Sequence, residues 1–162
     1  MVGKPDTQAG AKLYVCTAPQ TALPLDAAAF AALTWVQVKK VGQISDMGTD
    51  TNIVNYDTLD TDVSQKGKGV TNGGDWTIEV ARVYDDAGQT AMRAAALTGY
   101  DYAFKVEYAD APSAGYTNTI MYNCGLVTGP RKPGGGVEDF ILEQFTLAMN
   151  QRDVVVDPTV IP

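Results

Sequence analysis

Apolar and polar residues alternate with period two in several short runs along the chain, the pattern of strands with one buried face. The cleanest is "YDYAFKVEYAD" (100–110), where Tyr100, Tyr102, Phe104, Val106 and Tyr108 alternate with Asp101, Ala103, Lys105 and Glu107. In "WTIEVARVY" (76–84), Trp76, Ile78 and Val80 share one face, and Thr77, Glu79 and Ala81 the other. "AKLYVCT" (11–17) reads as a short strand. "TWVQVKKVGQI" (34–44) reads as a β-branched and aromatic one broken near Gly42. "YTNTIMYNCGLVTG" (116–129) is a further strand, ended by Pro130. "VEDFILEQFTLAMN" (137–150) changes phase near Glu143: Phe140 and Leu142 fit one face, then Phe145, Leu147 and Met149 the other. A β-bulge or two-sided burial is expected there.

One stretch has helical character. "DDAGQTAMRAAALTG" (85–99) opens with aspartates able to cap, continues with strong helix formers and stops at Gly99. The small residues Ala87, Ala91, Ala94 and Ala95 suit a helix lying close against a sheet. Residues 18–33 read as a loop with a single helical turn capped by Asp26. The sum predicts a mainly β protein: two packed antiparallel sheets, sandwich or barrel, flanked by one helix near 86–98. Residues 1–150 are expected to form one domain, and the proline-flanked residues 151–162 an extended arm.

The strand pattern lapses between residues 45 and 75, where a long polar segment includes "VNYDTLDTDVSQKGKGVTNGGDW" (54–76). Compact domains seldom keep a connection of this length without a use for it. Residues 45–65 hold five aspartates and no Lys, Arg or Glu, within a net charge of −7 over 162 residues. That charge disfavours stable binding to nucleic acid, which needs clustered Lys and Arg, but not a surface past which a polyanion slides. No run has the apolar length of a membrane span. The N-terminal residues lack the apolar core of a signal peptide, so synthesis in the cytoplasm as a soluble protein is expected.

Candidate chemistry is sparse. The absence of histidine excludes Ser–His and Cys–His nucleophile pairs within one chain. Cys16 and Cys124 stand far apart, in no metal-binding or redox spacing, and read as thiols within strands. Asp57, Asp60 and Asp62 offer oxygens to calcium, yet Gln65 takes the place of the central glycine and no Glu closes the loop; a solvated acidic face explains them as well. "QKGKGVTNGG" lacks the phosphate-loop spacing and a following helix. Glu79, Glu107, Glu138 and Glu143 could supply a carboxylate pair for glycoside hydrolysis, or form the outer face of a half-exposed sheet. No cofactor or metal is expected. An assembly role for the long segment fits Ile53, Val54, Tyr56, Leu59 and Val63, apolar residues dotted through polar surroundings. An interface would give them a pocket. With Asp50, Asp57, Asp60 and Asp62 they form the candidate contact set.

From "LTWVQVKKVGQI" through "NIVNYDTLDTD" and "KGKGVTNGGDWTIEV" to "DDAGQTAMRAA", followed by "YAFKVEY", the chain resembles the major tail tube proteins of long, flexible-tailed bacteriophages. The likeness covers about residues 12–150; "RKPGGG" (131–136) and the C-terminal tail depart from it. It implies two packed antiparallel sheets flanked by a helix, a fold shared with the tubes of type VI secretion systems. It also implies hexameric rings that stack into a tail tube within the virion, assembled in the host cytoplasm. Such rings join one sheet of each subunit into a continuous β-barrel around a channel through which DNA is ejected. Implied partners are further copies of the chain, the tape-measure protein, and the tail terminator and distal tail proteins. The long segment would reach the adjacent subunit or ring. Gln37, Lys39, Thr77 and Glu79, polar-face residues on strands beside it, are the lumen candidates. The alternatives are a related injection tube, or a carbohydrate- or calcium-binding β-sandwich module.

Overall fold

A computed structural model describes residues 3–162. In chain order the elements are β1 (Lys12–Val15), α1 (Ala27–Ala31), β2 (Val36–Val38), β3 (Val41–Ile44), β4 (Asp50–Tyr56), β5 (Gln65–Asn72) and β6 (Asp75–Ala81), then α2 (Ala87–Ala96), β7 (Tyr102–Glu107), β8 (Ile120–Arg131), β9 (Leu142–Met149) and β10 (Val154–Val156). The architecture is mainly β, as the alternation predicts: a large antiparallel sheet, a small second sheet and two helices.

The large sheet runs β2-β1-β7-β8-β9-β6-β3, with β10 added to β8. Its two edges, β2 and β3, are separated in sequence only by Lys39 and Lys40. The predicted strand 34–44 is therefore one run of chain that pairs with β1 in its first half and β6 in its second. The sheet must curl until its edges meet in that run, although the ladder does not close into a barrel. The break falls at Lys40, which adopts a positive φ of 61°; around Gly42 the pairing with β6 shifts register between Val41 and Gln43.

Curling gives the sheet an inside. Leu13, Val15, Trp76, Ile78, Val80, Phe104, Val106, Phe145 and Leu147 are fully buried there. The predicted helix α2 adds Met92 and Ala95 to this core. Asp86 caps α2 by accepting from the Gln89 amide at 2.9 Å and also accepts from the Lys39 amide at 3.3 Å. The helix lies so close to β2 that a Cβ on Gly88 would fall 2.2 Å from the Gln37 carbonyl oxygen. A second apolar cluster covers the outer face of β7 and the start of β8, where α1 and its flanking loops bring Phe30, Leu23, Leu25 and Trp35 over Ala103, Tyr122 and Cys124. The Phe30 and Tyr122 rings stack with centroids 5.0 Å apart. Asp26 caps α1 as expected.

The expected phase slip at Glu143 does not occur. Strand β9 begins at Leu142, after Phe140 has ended in an exposed loop, and Glu143, Phe145, Leu147 and Met149 share the buried face. Glu143 tolerates burial because Arg82 and Arg93 reach it at 3.1 and 3.0 Å. The irregularity lies instead in the partner strand, where β8 shifts register between Thr128 and Arg131.

After β9 the chain kinks through Asn150–Arg152, and each of these three side chains holds a different element. Asn150 donates to the Asp101 carboxylate at 2.5 Å, Gln151 binds the backbone of Leu25 as donor and acceptor, and Arg152 donates to the Thr71 hydroxyl at 2.9 Å. Beyond it, Val154–Val156 pair with β8 and Thr159 bonds Thr117.

Candidate functional site

The long polar segment is a β-hairpin. Strands β4 and β5 form the second sheet, with Ile53 opposite Lys68, Val54 opposite Gly67 and Tyr56 opposite Gln65. Sequence explains why it stays apart from the body. A strand that docks one face alternates apolar and polar residues. In β4, Ile53 and Val54 are adjacent and therefore point to opposite faces. Neither face becomes apolar enough to dock, and no residue from 50 to 72 is buried.

Of the candidate contact residues, Asp50, Ile53, Val54 and Tyr56 lie on β4, and Asp57, Leu59, Asp60, Asp62 and Val63 in the connection to β5. All nine are exposed. The tip is organised by short polar bonds, with the Thr58 and Thr61 hydroxyls 2.8 Å apart and Thr61 donating to the Val63 carbonyl. Its carboxylates do not converge: no group of three or more potential metal ligands occurs among the described residues.

The hairpin's base is tightly held. A Cβ on Gly73 would come 2.6 Å from the Met149 carbonyl oxygen, and one on Gly74, at φ +86°, 2.4 Å from the Gly48 carbonyl oxygen. The Asn72 side chain accepts from the Gly74 amide, and the Arg152–Thr71 bond braces β5 from the side. A cleft of about 480 Å³ lies at this junction, between Asn52, Val70 and Thr71 on the hairpin and Met149–Arg152 on the body. The ribbon projects from a fixed root.

The lumen candidates fall in two places. Thr77 and Glu79 sit on the outer face of β6, opposite Thr146 and Gln144 of β9, and the Gln144 amide donates to Glu79 at 2.8 Å. On this outer face Thr77 is exposed, and Glu79, Gln144 and Thr146 are half-buried. Gln37 lies on edge strand β2, and Lys39 follows it, exposed, beside the cap of α2. The carboxylates weighed for catalysis are dispersed over separate partners. Glu79 accepts from Gln144, Glu107 from Asn118 and Glu143 from the arginines, while Glu138 stands exposed in a loop. Cys16 and Cys124 flank Ala103 across β7 in the second cluster, both free and buried. Burial, with Asp101 and Cys16 nearby, pushes the Cys124 thiol up to about 12.

Exposed apolar side chains are not confined to the hairpin. Val137, Phe140 and Ile141 are 105%, 82% and 70% exposed in the loop joining β8 to β9, and Tyr84 is 80% exposed nearby in sequence to β6. Sequence patterning assigned Phe140 to a strand face. The warning sign was the run Gly134–Gly136 with Glu138 and Asp139, which interrupts alternation before Leu142.

No model of a known protein family matches the sequence, and no curated protein does. Solved structures do match in fold over nearly the whole chain. One is a chain in the sheath/tube terminator of an extracellular contractile injection system, PVC, in its extended state: TM-score 0.68, 10% identity, 96% of this chain and 99% of that one. A second, in the anti-feeding prophage cap, the AFP tube terminating cap, has TM-score 0.68 at 12% identity, over 97% and 94%. A third, in the six-fold symmetrised AFP baseplate, has TM-score 0.65 at 6% identity, over 96% and 98%. The chain shares its fold with these three chains.

Proposed function

We propose that this chain is a structural subunit of a phage-type tail tube, forming rings that stack around a channel for DNA ejection. The observation that carries the reading is the β4–β5 hairpin, rooted firmly in the body yet exposed on both faces with Ile53, Val54, Tyr56, Leu59 and Val63 uncovered. A two-stranded ribbon is at best marginal alone, and a projecting one gains its burial from another molecule. The fold match to tube-associated chains supports the same reading. The sheet edge β3, paired only with β6, offers backbone to neighbours around a ring, and the polar outer face bearing Thr77 and Glu79 suits a bore to which DNA does not adhere. Partners on this reading are further copies, a tape-measure protein within the bore, and terminator and distal tail proteins at the ends.

The test is deletion of residues 50–70 with electron microscopy of the purified protein. Rings or tubes from the intact chain, and none from a deletion variant that still folds, are expected. Undiminished assembly by the deletion variant would sink the proposal.

A second reading has its own support: two of the matching structures are described as terminators or caps. A terminator closes a tube with one ring, so it would give single rings, or bind the end of a preformed tube, without growing filaments of itself.

A further inference from the structure

Unlike projections stand at the two ends of the β6–β9 ladder. At the end where Asp75 pairs with Ala148, the hairpin leaves the body. Its tip sets Leu59, fully exposed, among Asp57, Asp60 and Asp62. At the other end, where Ala81 pairs with Leu142, about 20 Å away along the strands, the β8–β9 loop holds out Val137, Phe140 and Ile141. Arg131 ends β8, Lys132 opens the loop, and the loop returns beside Arg82, whose amide donates to the Ile141 carbonyl. Lys40 joins this end, its carbonyl accepting from the Ala81 amide. Arg131, Lys132 and Lys40 are exposed, and none forms an ion pair among the described residues. Of the loop's two carboxylates, Asp139 accepts from the Gly136 amide at 2.7 Å, and Glu138 is open.

Each projection carries apolar surface that nothing in its own chain covers. Pairing like with like would press three aspartates against three. Pairing unlike ends sets carboxylates against cations and joins the two apolar groups, at an interface repeated by every added copy without closing. We infer that the acceptor for the hairpin tip is the β8–β9 loop of a second copy of this chain. Leu59 and Val63 seat against Val137, Phe140 and Ile141, and the tip aspartates face Arg131, Lys132 and Lys40. This rests on the reading of the chain as an assembling tube subunit. It adds that the chain carries both halves of its axial contact, which a terminator would not need.

The test uses the full chain with Leu59→Cys, Val137→Cys and both together, followed by a short bis-maleimide. The native thiols are buried, and the substituted positions lie outside the core. Expected are a ladder of cross-linked multimers from the double variant, linked pairs when the two single variants are mixed, and no products from either alone. Phe140→Ala with Ile141→Ala should raise the concentration needed for assembly about tenfold or more, with an unchanged melting temperature. Arg131→Glu with Lys132→Glu should do likewise and be partly restored by mixing with Asp60→Lys/Asp62→Lys protein. Tubes without the Leu59–Val137 cross-link, or undiminished assembly of the Phe140/Ile141 variant, would place the acceptor elsewhere and leave the tube reading standing. Cross-linking of Leu59→Cys protein to itself would mean tip-to-tip contact and overturn the inference. An intact chain that never assembles would remove both.

Discussion

Strands β6 and β4 are each seven residues long and antiparallel to their partners. Yet β6 sends Trp76, Ile78 and Val80 inward and Thr77 outward, whereas β4 places the neighbours Ile53 and Val54 on opposite faces and buries neither. The difference is one of phase rather than apolar content. Alternation concentrates apolar surface on one side, where the curled sheet removes it from water. Its absence spreads the same kind of residue over two sides, and the ribbon buries neither. The body packs its own apolar surface; the hairpin is fixed at its root and exposed beyond it, which is why the proposed function looks to a second molecule to cover it.

That contrast breaks most severely at the centre of the body. Phe145 is fully buried opposite Ile78. Phe145→Ala should cost about 4 kcal/mol of stability, read as a fall in denaturation midpoint with little change in slope. A change below about 1 kcal/mol would mean that the curled core is not packed as described. Next comes the polar brace of α2. Arg93 reaches Glu143, the Gln89 side chain and the Val83 carbonyl, so Arg93→Ala leaves Glu143 buried with Arg82 alone. A loss of about 3 kcal/mol is expected. Glu143→Gln should cost less, because the arginines, partly exposed at 22% and 37%, turn to solvent.

The hairpin should behave in the opposite manner. Replacing residues 50–72 with a short Gly/Ser linker between Thr49 and Gly73 removes no buried residue, so stability should change by no more than about 1 kcal/mol, while assembly is abolished. A large loss of stability would show that the hairpin completes the body and would erase the distinction between them. Gly73→Ala probes the root itself. The new methyl meets the Met149 and Gln151 carbonyls, and a cost of about 1–2 kcal/mol is expected from overpacking.

How much of this was legible beforehand follows the same division. Strand β6 and helix α2 could be read directly, because strict alternation and a capped run of helix formers leave one solution; β7 was read as a strand, but Tyr100 stands exposed before it and Ala103, expected on the outer face, is buried in the second apolar cluster. The handover from β2 to β3 was only half visible: residues 34–44 read as a strand broken near Gly42, whereas pairing with β1 and β6 divides it at Lys39–Lys40. Phe140 misled because an apolar residue two positions before Leu142 mimics alternation, whereas the strand face is set by Glu143, a charged residue that no pattern places inside. Its partner arginines lie far off in sequence. For the hairpin, the aspartates and scattered apolar residues signalled a projecting element, but the clamp of Gly73 against Met149 needed the fold.

The smallest expected effect is a contrast in chemical access at two thiols. Cys124 is completely buried and its thiol is pushed up to about 12. A pKa raised in the folded state keeps the group protonated until the pH climbs toward that value. At pH 8 the buried thiol is almost wholly protonated, against about a quarter thiolate for an ordinary cysteine. A cysteine placed at Leu59, on the exposed tip, has no such protection. In native protein at pH 8, Leu59→Cys should be alkylated at the rate of a small peptide thiol, with Cys124 silent until denaturant is added. Assembly into tubes should then slow the Leu59→Cys reaction and leave Cys124 as it was. Labelling of Cys124 at the tip's rate would mean that the body opens as readily as the hairpin, and an unchanged rate at the tip after assembly would mean that nothing grips it.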